Sequence, residues 1–381
     1  MEDIIKQSKS PGQLLDAALK RKGWTQRVLA VVLEVDQTAI NKIITDKRSV
    51  NAELALLLEE VLDVPAAAFL QVQSDFELAK ARITARPDTK RATRAHLFGG
   101  LPVSDMIKRG WLDAKDVRDV KNVESALTKF FEVNALEEIE ILPHAAKKTA
   151  VAQEATGTQL AWLYRVRQIA QEMIVAPYSE LSCRRAIELL RPLTCSAEEI
   201  RKVPRILAEC GIRFVVVESL PGAKIDGICF WLGSSSPVIG ITLRHDRIDN
   251  FWFVLRHELE HVRLGHGKLA AIIDSELEGD RASSTADIPE EERLANGAAS
   301  EFCVPKKSMD SFIARKEPFF AERDLLGMAA TLKIHPGLVA GQLQHRTGRY
   351  DRFRNHLVKV RSILSPSAVV DGWGDIAPVG T

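Results

Sequence analysis

Five consecutive residues, His257-Glu258-Leu259-Glu260-His261, carry the densest chemistry in the chain. Two His at i and i+4 stand one turn apart on one helix face, so both imidazoles can reach a single Zn²⁺ at about 2.0–2.1 Å. Glu258 follows the first His and can contact a metal-bound water, which is the place for a general base. A His pair on a helix is otherwise a solvated or core detail. The surroundings argue against that reading. Phe251 to Leu264 is apolar on most sides, so the helix is expected to be buried. Two His and a Glu inside a buried helix are costly unless a metal or a partner offsets them. Asp249 or Asn250 is expected to cap this helix, and Gly265 and Gly267 to end it.

A catalytic zinc needs a third protein ligand and an open position. Downstream, Asp287-Ile288-Pro289-Glu290 is expected to open a second helix, with Asp287 as N-cap, Pro289 in the first turn and Glu290 three residues after the cap. On that helix Glu292 shares a face with Ala295, Ala299 and Phe302, which should point inward. An inward carboxylate among small residues is the candidate third ligand. Asn296, one turn on, can hydrogen-bond a ligating His. Glu290 and Glu291 read as first-turn acids favoured by the helix dipole, and the alternative for Glu292 is that it is a third such acid. His266 is the rival ligand, five residues past His261 and badly placed to share the ion. His245, His335 and Tyr350 are candidates to stabilise an oxyanion, and the sequence does not choose among them.

Short β-rich runs precede the motif: Ile212 to Val217, Gly227 to Leu232 and Val238 to Leu243. Gly233-Ser234-Ser235-Ser236-Pro237 parts the last two as a hairpin loop would. Residues 101–210 read as helical throughout, with Leu127, Phe130, Phe131, Leu160, Trp162 and Leu163 as core. Residues 76–100 read as a linker, where basic residues such as Lys80, Arg82 and Arg91 alternate with small ones around Pro87 and Gly99-Gly100. The tail after Ser365 reads as irregular.

Residues 12–70 read as packed short helices. Gly23 stops the first, Thr25 caps the next, Asp36 begins another with Ile40, Ile43 and Ile44, and Asn51 to Leu62 is the last.

The chain has 381 residues, 46% hydrophobic and 27% charged, with a net charge of +1, so no whole-chain polyelectrolyte signal points to nucleic acid or membrane. Five cysteines without a CxxC pair suggest neither a disulfide framework nor a zinc ribbon, and fit a reducing cytosol. No signal peptide or membrane span is read, and a cytoplasmic location is expected.

Taken together, these residues resemble the ImmA/IrrE family of zinc metallopeptidases. The likeness rests on Gly227 to Arg244, on Asp249-Asn250-Phe251-Trp252-Phe253 leading into the His257–His261 motif, on Glu292-Arg293-Leu294-Ala295-Asn296 ending at Val304-Pro305, and on Ile334-His335-Pro336-Gly337 with Val339 to Leu343. It implies a zinc site of His257, His261 and Glu292 with Glu258 as general base, and a partner repressor or antitoxin as substrate. Two positions depart from the family pattern: Glu260, where a small residue is usual, and Ala298, where an aromatic is common. Charge and bulk at Glu260 put the catalytic rate in question more than metal binding.

The N-terminal part resembles the XRE/Cro-C1 helix-turn-helix group, in particular antidote-type regulators of addiction modules. That likeness implies that Thr25-Gln26 opens the first helix of the motif and that Asp36 to Ile44 is the recognition helix. Gln26, Gln37, Thr38, Asn41 and Lys42 would face bases or phosphates, with Lys47 and Arg48 on the backbone. Residues 1–75 hold nine Lys/Arg against eleven Asp/Glu, so the usual basic domain is missing, and a helical bundle for dimerisation is the alternative.

The expected fold is α+β and mostly helical: a helix-turn-helix domain over 1–75, a linker and helical middle over 76–204, a zincin-like domain with a small sheet over 205–350, and a tail over 351–381. The expected function is a DNA-binding regulator, as a homodimer on an operator, with a Zn²⁺-dependent endopeptidase acting on a partner protein and no membrane partner. The alternative is a non-catalytic repressor or antitoxin in which the zinc is structural or sensory.

Overall fold

The structure, a computed structural model, describes residues 2–85, 89–139, 156–268, 271–275 and 289–379. The chain divides into two compact units, residues 1–89 and 90–381.

The described part of the first unit is helical: α1 (Glu2–Gln7), α2 (Pro11–Lys22), α3 (Gln26–Val32), α4 (Gln37–Ile44), α5 (Ala52–Leu62) and α6 (Ala66–Thr84). Local chemistry sets the starts of α2 to α5. Ser10, Thr25, Asp36 and Asn51 each accept a backbone N–H two or three residues on, which satisfies donors the first turn leaves open. Leu14, Leu15, Leu29, Ile40, Ile43, Leu58 and Phe69 interlock as the core.

The stretch expected to be a linker is helical on both sides of the undescribed residues 86–88, which include Pro87. α6 runs to Thr84, and α7 spans Thr89–Gly100. Lys, Arg and Ala are good helix formers even when they look like linker composition, and Leu97 of α7 is buried in the core of the second unit.

The second unit continues with α8 (Val103–Lys108), α9 (Val120–Phe130), α10 (Gly157–Glu172), α11 (Glu180–Leu190), α12 (Val203–Glu209), β1 (Arg213–Val217), β2 (Ile225–Trp231), β3 (Pro237–Ile241) and α13 (Ile248–Leu264). Then follow β4 (Ile272–Ser275), α14 (Glu290–Cys303), α15 (Lys306–Lys316), α16 (Glu322–Leu332), α17 (Pro336–Thr347), α18 (Arg361–Leu364) and β5 (Val369–Asp371). Short 3₁₀ segments at Arg191–Cys195 and Ala197–Lys202 interrupt the helical middle.

The strands form one mixed sheet in the order β4-β2-β3-β1-β5. β2 and β3 pair antiparallel, as the hairpin reading expects, while β1 runs parallel to β3 and β5. Alternation along β1 divides the core: Phe214 and Val216 pack on the face that holds α13, Val215 and Val217 on the face that holds α10. Both faces are covered by helices, which is why β1 reads as an unbroken apolar run. Leu127, Phe130, Phe131, Leu160, Trp162 and Leu163 are all buried. The architecture is α+β and mostly helical.

The tail differs from its expectation. β5 adds an edge strand, and its Asp371 is buried with Arg165 Nε donating at 3.0 Å and Trp111 Nε1 at 2.7 Å. A long-range ion pair chose that strand, and nothing local to the tail encodes it. No helix among the described residues is long and apolar enough to cross a membrane.

Candidate functional site

α13 lies against the sheet, and of its 17 residues only Phe253, Arg263 and Leu264 are not buried. Its N-cap is Arg247 rather than Asp249 or Asn250. The helix starts early because Ile248 enters the core. Asp249 then falls in the buried first turn, where Arg247 Nε donates to it at 3.1 Å. Gly265, at φ +73°, closes the helix with its N–H on the His261 and Val262 carbonyls, a backbone shape that suits glycine.

His257, Glu258 and His261 are fully buried. The two Nε2 atoms stand 3.0 Å apart. Glu292, on α14, brings Oε2 to 3.3 Å from His257 Nε2 and Oε1 to 3.4 Å from His261 Nε2. Ligands about 2.0–2.1 Å from a tetrahedral zinc lie about 3.3 Å from one another, and two imidazoles with one carboxylate are a known catalytic donor set. The three residues therefore fit a zinc ion. Ala295 and Ala299 are completely buried and let α14 approach α13 closely, with Phe302 against Trp252 at 6.1 Å between centroids. Asp287 lies outside the described residues, and Pro289 sits at the N-cap position rather than inside the first turn.

The outward nitrogens of both rings are also held. Asn296 Oδ1 lies 3.1 Å from His257 Nδ1, as the sequence leads one to expect. A ring N–H donated to that amide oxygen leaves Nε2 as the lone-pair nitrogen. His261 Nδ1 meets His266 Nδ1 at 3.0 Å, and His266 Nε2 faces Glu291 at 3.9 Å. His266 thus backs His261 from the side away from the ligand cluster, which removes it as a third ligand. It is fixed there by its backbone carbonyl, which accepts from Trp231 Nε1 at 2.7 Å.

Glu258 meets β2 at Gly227. A Cβ on Gly227 would come within 2.1 Å of Glu258 Oε1, so the carboxylate occupies the space that a side chain at this position would take. Sequence reasoning missed both His266 as a backing residue and Gly227; a glycine inside a strand run was the available signal for the latter.

Glu260 does not crowd the cluster. Its carboxylate is turned to the arginines, held by Arg256 Nη2 at 2.8 Å and Arg263 Nε at 2.9 Å. Burial pushes its carboxyl up, but the hydrogen bonds from the two arginines outweigh that and hold it below the usual range.

His245 is exposed. His335 caps α17, with Nδ1 accepting the Gly337 N–H at 3.0 Å, and burial lowers its pKa. Tyr350 is partly exposed and lines a cavity beside the site together with Asn296 and Phe253.

In the first unit, Gln37, Thr38, Asn41 and Lys42 are exposed on α4, and Lys47 and Arg48 are exposed just beyond it. Gln26 opens α3 and is half-buried. Thr38 donates to Asp36 Oδ1 through both its N–H and its hydroxyl at 2.7 Å. That pairing, the backbone bond first, holds the Asp36 carboxyl below its usual range. Thr38 thus serves the cap.

Two segments match known families. Residues 15–69 match the helix-turn-helix model. Residues 209–331 match the peptidase family described as the IrrE N-terminal-like domain. The chain joins a helix-turn-helix to an IrrE-like domain. The second match contains β1 to β4, α13 and α14, hence His257, Glu258, His261 and Glu292. No curated protein matches the chain.

Proposed function

We propose that this chain is a DNA-binding regulator whose IrrE-like domain is a zinc-dependent endopeptidase acting in the cytoplasm on a partner protein, a repressor or antitoxin. The observation that carries the reading is the convergence of His257 Nε2, His261 Nε2 and the Glu292 carboxylate on one point, on a helix that also buries the Glu258 carboxylate against Gly227. His257, His261 and Glu292 would hold the ion. Zinc, when bound, supplies Lewis acidity toward a carbonyl and toward water. Glu258 takes a proton from water and returns it to the leaving amine, as a general base and then acid. Asn296 and His266 hold the two imidazoles in the tautomer that presents Nε2. Buried surroundings keep bulk water from screening these groups.

Through Gln37, Asn41 and Lys42, α4 would read an operator, with Lys47 and Arg48 on phosphates and two chains on a two-fold site. Residues 1–75 are then the DNA-binding domain and residues 205–350 the peptidase domain.

The test is Glu258→Gln, which keeps size and polarity. Metal analysis should find about one zinc per chain in wild type and in this variant, and none in His257→Ala. Partner cleavage in cells should fall by about 10²–10⁴ in Glu258→Gln, with operator binding unchanged. If Glu258→Gln cleaves and represses like wild type while His257→Ala abolishes function, the zinc is structural or sensory and the enzyme reading is lost.

A further inference from the structure

The outer face of α3 is apolar where solvent favours polar side chains. Val28, Val31, Val32 and Val35 are 41%, 72%, 44% and 38% exposed. Steps of three and four put Val28, Val31 and Val32 on one helix face. Leu29 and Ala30 point the other way and are buried in the core of the first unit. Val35 extends the patch into the turn after α3, fixed there by its N–H on the Ala30 carbonyl at 3.0 Å. Neither packing nor local structure asks for these valines. They lie outside the core, and a branched Cβ makes a poorer helix former than Glu, Lys or Gln. Exposed valines on adjoining turns form the kind of contiguous apolar patch that marks a protein contact.

The charges at its two ends say what covers it. Arg27 opens the patch and Glu34 closes it. Both are exposed, and neither has an ion-pair partner among the described residues. A second copy of α3 laid antiparallel across the first sets Arg27 against the partner's Glu34, with the valines between. A parallel arrangement sets like charge on like and is repulsive. One patch that complements itself after a half turn is what a two-fold pair needs. Residues 1–75 carry nine Lys/Arg against eleven Asp/Glu, so two copies meet without strong mutual repulsion.

We propose that this chain pairs with a second copy of itself through α3, antiparallel about a two-fold axis. Val28, Val31, Val32 and Val35 form the seam, and Arg27 faces the partner's Glu34 on each side. Two chains on an operator need a contact between them, and this face supplies one; the pairing itself asks nothing of DNA or zinc. α3 has seven residues, about 10 Å at 1.5 Å per residue. The contact is therefore small, and the pair forms and separates with concentration.

The test is sedimentation velocity on the full-length chain without DNA, over a series from micromolar to millimolar protein. Wild type should pass from monomer to dimer along the series. Val31→Lys should stay monomeric throughout, with circular dichroism and melting temperature unchanged because Val31 lies outside the core. Arg27→Glu and Glu34→Arg should each weaken the dimer about tenfold, since two symmetry-related pairs turn from attraction to repulsion. The double variant Arg27→Glu/Glu34→Arg should recover wild-type association, because exchanging both charges restores the pairs. A wild type that stays monomeric, or a dimer that Val31→Lys leaves intact, overturns the proposal. So does a double variant that associates no better than either single one. Operator binding by a wild type that is monomeric without DNA would overturn the pairing and leave the DNA-binding function standing.

Discussion

α13 and α4 each carry polar residues at helical spacing, and they use them in opposite ways. On α4 the polar side chains are exposed, and the buried Ile40 and Ile43 do the folding. On α13 the polar side chains are themselves in the core: His257, Glu258 and His261 are as buried as Trp252. A buried polar group must have its partners built around it. α13 therefore recruits Asn296 and Glu292 from α14, His266 from the loop after it and Gly227 from β2, while α4 needs only its own cap and two core contacts. A buried site thus spreads its requirements over distant segments, whereas a surface site keeps them local. Substitutions should reveal that asymmetry.

Among the residues recruited around the cluster, the largest effect should come from one with no chemistry of its own. Gly227→Ala places a methyl where Glu258 Oε1 now lies, and the flexible carboxylate must move. Displacing a reacting group by about 1 Å can lower a rate by ~10², so partner cleavage should drop that far while zinc content stays at the wild-type level. Full cleavage by Gly227→Ala would mean that Glu258 has room the comparison denies it.

Next comes His266→Ala, which removes the group behind His261. Loss of such a backing residue weakens metal binding by about 10- to 100-fold; competition against a fluorescent chelator reads this directly, and His266→Asn should recover part of it. Unchanged zinc affinity would reduce His266 to a surface detail of the loop.

Glu260→Gln probes the charged flank of the same helix. Removing one partner from a largely buried ion-pair cluster should cost on the order of 2 kcal/mol, below the full buried-pair value because Arg263 is a third exposed. The folded carboxyl is held below its ordinary range. Its stabilising contribution is thus present above the ordinary carboxylate pKa and is lost as pH falls through the lower folded value. Denaturation midpoints of wild type and variant should converge in acid, and a gap independent of pH would contradict the ion-pair account.

The smallest effects belong to α4. Asn41→Ala should weaken a specific operator by about 1 kcal/mol or somewhat more and leave random duplex binding nearly unchanged, while Lys47→Ala should weaken both alike. Neither should alter melting temperature. If selection from random duplexes enriches no sequence, α4 is a contact face of another kind.

The contrast also explains what could be read in advance. Caps at Thr25 and Asp36, the β2–β3 hairpin and the Ala295–Ala299–Phe302 face are legible because each depends on residues a few positions apart. The cap of α13 was misplaced because core packing of Ile248 set the helix start. The helices around 76–100 were hidden by a composition that suits a linker and a helix equally. β5 was hidden because the partners of Asp371, Trp111 and Arg165, lie more than 200 positions away.

By itself the sequence determined the grouping of His257, Glu258 and His261 on α13, the approach of the Glu292 carboxylate to the two imidazoles, the amide behind His257 and the short capped helices of the first unit. In each case one helical period fixes which side chains share a face. Tertiary structure alone decided that His266 backs His261 instead of joining the cluster, that Glu260 turns to two arginines, and that Gly227 makes room for Glu258. Those outcomes depend on which strand and loop reach α13 across the fold, and no local spacing encodes such long-range contacts.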